Sequence, residues 1–273
     1  MTTPDERGQD RSTDLMAGAP GPTRPRPLVV AIDGPSGSGK SSVSRGVAEQ
    51  LGLAYLDTGA MYRAATWWCL RLGLDLTDRD AVAEAVRGLP LVQGLEPSAP
   101  TVRVAGIDVA EAIRTTEISA AVSAVATNLD VRAELRRRQR DLIEAERHAG
   151  AVSDGRGVVA EGRDITTVVA PDADVRVLLT ASEDARLARR AREIHGNADA
   201  DALASTRDQV LRRDADDSTV VQFHLAADGV VTLDSSALDL DGTIAAVVDI
   251  IAAVTGLAAD GRSPDGPAEP GTP

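Results

Sequence analysis

Apolar residues recur along this chain in two patterns, which predict strands and helices in turn. Residues 28–32 form a continuous apolar run, as in a strand that is buried on both faces of a parallel sheet. Beyond this run, Val43, Val47 and Leu51 recur at four-residue spacing and Gly52 follows. That spacing predicts a helix of about three turns that ends at a glycine. The first folded part is therefore a strand, a loop and a helix.

The same patterns continue through the rest of the chain. Further strands are predicted at 54–56, 157–160, 175–179 and 230–233. Helices are predicted at 58–73, 78–88, 182–194, 201–213 and 241–255, and a long helical region covers 117–147. Residues 101–109 alternate around Gly106 like a hairpin or tight meander, within a stretch, 91–109, that resembles an insertion. Five strands that alternate with helices predict an α/β fold, with a parallel five-stranded sheet covered by helices on both faces.

Composition limits what surrounds this sheet. Residues 1–27 and 258–273 are rich in proline, glycine and charge, which predicts disordered tails around a folded part at 28–257. No apolar run approaches about 18 residues, and no basic-then-apolar leader is present, so we expect a cytoplasmic protein without a membrane segment. One cysteine cannot form an intramolecular disulfide, and three scattered histidines offer no metal cluster.

The net charge of this chain and its single lysine each indicate something about function. The formal net charge of −13 argues against a general nucleic-acid binder. Of the 29 basic residues only Lys40 is a lysine, and it stands in Gly34-Pro-Ser-Gly-Ser-Gly39-Lys40-Ser41, which fits G-x-x-x-x-G-K-[ST]. Ammonium is a compact charge on a flexible stem, which reaches the β- and γ-phosphates of a nucleotide where the broad guanidinium fork would not fit.

The loop around Lys40 is therefore predicted to bind the phosphates of ATP. Its glycines let backbone N–H groups turn toward an anion, and the N-terminus of the next helix adds a positive partial charge. The Ser41 hydroxyl is suited to enter, partly through water, the shell of a Mg²⁺ ion. The predicted ATP-binding residues are Gly34, Pro35, Ser36, Gly37, Ser38, Gly39, Lys40, Ser41 and Ser42.

Four further motifs follow the loop. They are Asp57-Thr-Gly-Ala-Met-Tyr-Arg63, Ile113-Arg-Thr-Thr-Glu117, Glu161-Gly-Arg-Asp164 and Arg212-Arg-Asp-Ala-Asp-Asp-Ser-Thr219. In this order and spacing the five motifs resemble the bacterial cytidylate kinases, over essentially all of residues 28–255. The resemblance implies transfer of the γ-phosphoryl group of ATP, with Mg²⁺, to CMP or dCMP. It also implies a P-loop kinase fold with a monophosphate-binding insertion at about 60–130 and a lid at about 186–213, and we expect a monomer that binds no nucleic acid.

The resemblance also implies roles for single residues. The acceptor nucleotide is assigned to Asp57, Thr58, Arg63, Ser123, Arg132, Arg163, Asp164 and Asp217, of which Ser123, Arg132 and Asp164 read the cytosine ring. The catalytic cations are Lys40, Arg163, Arg186, Arg189 and Arg213, with Arg190 on the lid beside them. The roles that the resemblance implies for recognition of the cytosine ring are also chemically reasonable. A carboxylate accepts a hydrogen bond from the exocyclic amine of cytosine, whereas it repels the oxygen that uracil has at the same position.

Three positions depart from the family pattern. Val220 stands where relatives commonly carry an arginine, so either another arginine substitutes or acceptor binding is weaker. Thr166 stands where glycine is common, which alters the backbone freedom at the acceptor site. Thr58 stands where serine also occurs, a mild change. Glu161 has two open roles, which are holding a water of the Mg²⁺ shell and ordering Arg163.

The expected chemistry needs no general base. The second pKa of a phosphate monoester is about 6, so the attacking oxygen of the acceptor is already ionised near neutral pH. Catalysis should come from alignment, from Mg²⁺ and from arginines around the transferred group when a lid excludes water. Two alternatives stay open: a P-loop kinase for another small acceptor, and a non-catalytic nucleotide-binding protein with a decayed acceptor site.

Overall fold

The computed structural model describes residues 26–256. The predicted tails, 1–27 and 258–273, lie outside the described residues except for Arg26 and Pro27. Within the described part, no helix is both long enough and apolar enough to cross a bilayer.

Eight strands in residues 26–256 form two sheets. The strands are β1 (Leu28–Asp33), β2 (Ala54–Asp57), β3 (Leu91–Gln93), β4 (Val102–Val104), β5 (Ile107–Asp108), β6 (Gly157–Gly162), β7 (Val175–Thr180) and β8 (Val231–Asp234). The larger sheet has the order β2-β6-β1-β7-β8, and its paired strands are all parallel. The smaller sheet is the antiparallel meander β3-β4-β5. The predicted five-stranded parallel sheet is thus confirmed.

Eight α-helices in the described residues complete the fold. They are α1 (Lys40–Leu51), α2 (Thr58–Arg71), α3 (Arg79–Arg87), α4 (Thr116–Ala126), α5 (Leu129–Ala145), α6 (Glu183–His195), α7 (Ala200–Ser218) and α8 (Leu240–Thr255). Helix α1 ends at Gly52 in the left-handed conformation, with φ of 64°, as its sequence predicts.

The large sheet is covered on both faces because alternate side chains of a strand point to opposite sides. In β1, Val29 and Ala31 join one hydrophobic cluster, which includes residues of α2 to α5. Val30 and Ile32 join a second cluster on the other face, with residues of α1 and α8. The continuous apolar run that marks β1 in the sequence therefore serves two cores.

Two predicted helices have different bounds in the structure. The region 117–147 is divided into α4 and α5, because the Asn128 side chain accepts hydrogen bonds from the N–H groups of Asp130 and Val131 and begins a new helix. The helix predicted at 201–213 extends to Ser218 as α7, which brings the last motif onto a helix. The meander around Gly106 is confirmed, with Ala105 and Gly106 at φ of 50° and 80° in its turn.

Parallel pairing gathers several motifs at one edge of the large sheet. Strands β1, β2 and β6 all end there, with Asp57 opposite Glu161 and Asp33 opposite Gly162. The carboxyl edge of such a sheet, where neighbouring strands lead away to different helices, is the usual ligand position in doubly wound folds. The small sheet lies within the predicted insertion, and α6 and α7 cover the predicted lid, whose bounds stay predictions.

Candidate active site

A cavity of about 520 Å³ opens at this edge. It is rich in cationic side chains, namely Lys40, Arg45, Arg63, Arg114, Arg132, Arg163, Arg190 and Arg213. Four acidic side chains also line it, namely Asp57, Glu161, Asp164 and Asp217. The cavity is therefore a local concentration of positive charge in a chain with a formal net charge of −13. Such a site attracts an anionic ligand.

The loop between β1 and α1 has its carbonyl groups bound to cations. The four pairs are Gly34 O with Arg163, Pro35 O with Lys40 Nζ at 3.3 Å, Ser36 O with Arg186 Nη1 at 2.9 Å, and Ser38 O with Arg189 Nη1 at 3.1 Å. The first N–H groups of α1 have no acceptor within the helix. Carbonyls held by cations and free N–H groups at a helix start together form an anion-binding loop.

Two glycines of this loop are required by close approach of the backbone. A Cβ at Gly34 would lie 2.2 Å from Leu179 O, and a Cβ at Gly37 would lie 2.4 Å from Arg186 O. Gly37 also has a φ of 76°, which favours glycine. The loop is thus packed between β7 and α6, which keeps its shape fixed.

Lys40 is the first residue of α1. It is half-buried and lines the cavity. Burial, followed by the charge of Arg163, lowers the pKa of its ammonium group to about 8. An anion beside Lys40 would oppose both effects, because an opposite charge favours the ammonium form. The lysine is therefore poised to gain from a bound phosphate.

Glu161 lies near Lys40, 2% exposed. Its Oε1 accepts a hydrogen bond from the Tyr55 hydroxyl at 3.1 Å, and the nearby Lys40 ammonium group and Ser41 hydroxyl favour its charged form. Burial and the neighbouring Asp57 carboxylate raise the pKa of Glu161 to about 7. No group of three or more His, Cys, Asp or Glu residues suited to a metal exists in the described residues. A cation here would thus need phosphate oxygens in addition to Ser41 and Glu161, a donor set that suits Mg²⁺.

Arg163 is fixed on three sides. Its Nε donates to Asp217 Oδ2 at 3.0 Å, its Nη1 to Gly34 O, and its Nη2 lies 3.5 Å from Asp214 Oδ1. The Phe223 ring lies against the guanidinium, with the centroid 4.9 Å from Cζ. These contacts order Arg163 without Glu161, so the alternative in which Glu161 orders it is not supported. Two N–H groups of the guanidinium remain for a ligand.

Asp214 is a residue that sequence reasoning did not assign to the site. It is 5% exposed, and its carboxylate accepts from Ser36 N at 3.0 Å and from Arg186 Nη1 at 2.5 Å. It thereby joins the phosphate loop to α7. The helical period offered a signal, because Asp214 and Asp217 are three residues apart and share one face of α7.

The side of the cavity near α2 holds the residues predicted to bind the acceptor. Thr58 Oγ1 donates to Glu161 O at 2.7 Å, and the Asp57 carboxylate caps α2 by accepting from Ala60 N at 2.9 Å.

Arg63 Nη1 donates to Ser119 Oγ at 2.9 Å, and burial followed by the charge of Arg213 lowers the pKa of Arg63 to about 9. Crowded, poorly hydrated guanidinium groups favour an anion between them.

Arg213 contributes a further cation. Burial, followed by the charge of Arg163, lowers its pKa. Its Nε is buried without a hydrogen-bond partner among residues 26–256 and lies 3.9 Å from Asp217 Oδ2. This orphaned donor on a cavity-lining residue indicates that the site binds an additional acceptor group.

A buried ion pair also lines the cavity. Arg132 Nη2 donates to Asp164 Oδ2 at 2.6 Å, and both residues are 3% exposed. Arg136, which sequence reasoning did not select, donates to the same oxygen through Nε at 2.8 Å and Nη2 at 2.6 Å. Asp164 is thus available to the cavity as a fixed acceptor.

Six predicted residues do not line the cavity, namely Gly34, Pro35, Ser38, Ser123, Arg186 and Arg189. Ser123 is on α4, whose contribution to the cavity comes from Val122 and Ala126. Arg186 and Arg189 are turned to the outer side of the loop, because the loop carbonyls there need donors. Arg189 also binds Ser235 O at 2.6 Å. Their predicted roles stay predictions.

Two cavity-lining arginines were missed from the predicted set. Arg114 lies within a quoted motif, and its Nη2 is 3.8 Å from Asp57 Oδ2. Arg45 is four residues after Ser41 and shares its face of α1, which is the one signal that the sequence offered. Both provide positive charge in a cavity that Val220 does not line.

Thr166, at the position where relatives have glycine, has a specific contact. Its Oγ1 donates to Asp33 Oδ2 at 2.6 Å, beside bonds to Asp33 from the N–H groups of Ile165 and Thr166. Asp33 is 2% exposed, and burial raises its pKa to about 6. Thr166 therefore fastens the turn after Asp164 to the end of β1.

The sequence of this chain is similar to the sequences of known proteins. A family model described as cytidylate kinase matches residues 30–253. The chain belongs to the cytidylate kinase family. A cytidylate kinase of Streptomyces avermitilis is 50% identical over 226 residues, which are 82% of this chain and 92% of that protein. A cytidylate kinase of Cutibacterium acnes is 49% identical over 227 residues, which are 82% of this chain and 96% of that protein.

A more distant neighbour is the solved structure of a gluconokinase from Sinorhizobium meliloti 1021. It is 16% identical, covers 85% of this chain and 96% of its own, and has a TM-score of 0.40. Membership of the cytidylate kinase family makes the protein a phosphotransferase, for which ATP-dependent phosphoryl transfer is the expected chemistry.

Proposed function

We propose that this protein transfers the γ-phosphoryl group of ATP to CMP or dCMP, which yields ADP and CDP or dCDP. The observation that carries the proposal is one cavity that is lined both by Lys40 with its loop and by the Arg132–Asp164 pair. Arg63, Arg163 and Arg213 lie along the same cavity. A nucleotide phosphate and a base recognised by a carboxylate fit this arrangement.

The donor end binds ATP through the loop at 34–42. Free N–H groups and Lys40 bind the phosphates, and the loop glycines keep the backbone close to them. Arg186 and Arg189 support this loop from behind by holding the carbonyls of Ser36 and Ser38. Their part in catalysis is thus to keep the loop in shape.

The acceptor end binds the monophosphate through arginines. Arg63 and Arg163 each have some hydrogen-bond donors in use and others left, and Arg213 has a buried Nε without a partner in the described chain. Thr58 and Asp57 stabilise the start of α2 beside them. Asp217 holds Arg163 and lines the cavity, where an acceptor ribose would offer hydroxyl donors to its carboxylate.

The chemistry follows from charge and alignment. The acceptor phosphate needs no general base, because its second pKa is about 6. Ser41 and Glu161 would hold Mg²⁺ together with ATP, and the raised pKa of Glu161 fits a carboxylate that a divalent cation would stabilise in its charged form. When bound there, Mg²⁺ would supply positive charge that offsets the negative charge of the ATP phosphates. Arg163 and Arg213 stabilise charge on the transferred group.

We further propose the domain bounds 28–257 for the kinase domain, with the acceptor-binding insertion at about 60–130 and the lid at about 186–213. The meander β3-β4-β5 and helices α6 and α7 are the elements that support these bounds.

A coupled assay of ADP release tests the proposal. ATP and Mg²⁺ are supplied with CMP, dCMP, UMP, AMP or GMP, and turnover with CMP and dCMP well above the rest is expected. In the Asp164→Ala variant, turnover with CMP should fall more than turnover with the other acceptors. An unchanged order of preference among the acceptors would favour a kinase for another acceptor. Absence of both ADP release and CMP binding at millimolar concentration would favour the non-catalytic alternative.

A further inference from the structure

A second guanidinium holds Asp164 in addition to Arg132. Arg136 is on α5, four residues after Arg132 and three before the fully buried Gln139, so the three side chains share one face of the helix. Unlike Arg132 and Asp164, Arg136 does not line the cavity. Arg136 therefore affects a ligand in the cavity through Asp164.

The hydrogen bonds are concentrated on one carboxylate oxygen. Oδ2 of Asp164 accepts three bonds, one from Arg132 and two from Arg136. Within residues 26–256, Oδ1 of Asp164 accepts no hydrogen bond, since all three bonds to the carboxylate end on Oδ2. Since Asp164 lines the cavity, Oδ1 is the oxygen left for a donor on a ligand.

These ion pairs are shielded from solvent. The Asp164 side chain is 4% exposed, that of Arg132 4% and that of Arg136 20%. Charge-assisted bonds in such surroundings are stronger and more directional than exposed pairs. Two guanidinium groups on one oxygen also restrict rotation of the carboxylate, which one donor alone would not prevent.

We propose that Arg136 is a positioning residue for base selection, which acts by fixing Asp164 so that Oδ1 meets the acceptor base. The inference rests on the proposed function. Cytosine presents an amine donor to Oδ1, whereas uracil presents an oxygen there and is repelled. Without Arg136, the carboxylate is free to turn its oxygens, and Arg132 is free to offer an N–H group to the uracil oxygen.

The test compares Arg136→Met with wild type and with Arg137→Met. Arg137 is the next residue on α5, its side chain is 59% exposed, and it pairs with Glu134 and Asp141 away from Asp164. Steady-state kcat and KM are measured for CMP and for UMP with saturating ATP and Mg²⁺. The ratio of kcat/KM for CMP to that for UMP should fall about tenfold or more in Arg136→Met, chiefly through KM. Arg137→Met should keep the wild-type ratio.

The outcomes separate two failures. If wild type does not phosphorylate CMP, the proposed function is wrong. If wild type does so and Arg136→Met changes kcat/KM for both acceptors equally, or changes neither, the positioning role is refuted. A purely structural role would lower the unfolding temperature without moving the ratio. If thermal unfolding shows that Arg136→Met does not fold, Arg136→Gln, whose uncharged amide nitrogen carries two N–H donors, is measured under the same criterion.

Discussion

Replacing Asp214 by asparagine removes a charge that joins the phosphate loop to two arginines, while the size of the side chain stays the same. The carboxylate accepts from Ser36 N at 3.0 Å and from Arg186 at 2.5 Å, and Arg163 lies 3.5 Å away. The side chain of Asp214 is 7% exposed, and those of Arg163 and Arg186 are 13% and 10% exposed. The ion pairs are therefore little screened by water.

The size of the effect follows from this burial. Breaking a buried ion pair by removing one partner costs about 3–5 kcal/mol, because a charge is left without compensation. Asparagine keeps one acceptor oxygen, so about 3 kcal/mol is expected. For a folded part of this size, the unfolding temperature changes by about 2–4 °C per kcal/mol. Asp214→Asn should thus lower it by about 6–12 °C.

Activity should fall as well, because the NH2 group of asparagine must face either Arg186 or the Ser36 N–H group and Arg163, and the donors that it faces lose their acceptor. We expect kcat/KM for CMP to decrease by about tenfold or more at a temperature where the variant is folded. Thermal unfolding by circular dichroism and the coupled assay of ADP release measure the two effects. Asp208→Asn is the matched control, since Asp208 is exposed on the same helix.

The reasoning is refuted if Asp214→Asn unfolds within about 2 °C of wild type, because about 3 kcal/mol would shift it further. It is also refuted if Asp208→Asn has an equal effect. In that case the loss would reflect the net charge of α7 and not the contacts of Asp214.

Four further predictions concern single side chains. Lys40→Arg should lower kcat by about 10²-fold or more, measured by ADP release, because the guanidinium fork cannot replace the ammonium group; unchanged turnover would contradict the proposed site. Since the pKa of Lys40 is about 8 and bound phosphate would raise it, the affinity for a non-hydrolysable ATP analogue should weaken as the pH rises above about 8, with a flat profile in Lys40→Met. Thr166→Val should destabilise the fold by about 1–2 kcal/mol while Thr167→Val, at an exposed neighbour, has no effect. Because the hydroxyl stabilises the charged form of Asp33, whose pKa is about 6, this loss should be larger at pH 8 than at pH 5. Phe223→Leu should raise KM for CMP about fivefold by freeing Arg163, and Phe223→Tyr should not, as steady-state kinetics would measure.

Local sequence patterns were sufficient to predict the strands and helices that form the core. The strand that is buried on both faces is encoded by a continuous apolar run, and the loop before Lys40 is encoded by the spacing of its glycines. Both signals lie within a few consecutive residues, so both features could be predicted from the sequence. The break between α4 and α5 was missed because apolar residues continue across it. Asn128, a preferred capping residue, was the local signal for that break.

Partners that are distant in sequence could not be predicted in this way. Arg189 and Arg190 are adjacent, yet Arg189 holds Ser38 O and Arg190 lines the cavity. Which of two neighbours faces the loop depends on the rotation of α6, and this rotation is set by packing against other elements. The same holds for Asp214, whose partners Ser36 and Arg163 are 178 and 51 residues away in the chain.

The loop that precedes α1 is joined to α6 at three points. Arg186 holds Ser36 O, Arg189 holds Ser38 O, and the backbone of Arg186 leaves no room for a Cβ at Gly37. If helices α6 and α7 bend away from the loop, the hinge must then lie beyond Arg189. A hinge before Arg189 would break the hydrogen bonds from Arg186 or Arg189 to the loop carbonyls. A protein engineer who transplants this loop into a foreign scaffold would have to carry the opening turns of α6 along with it.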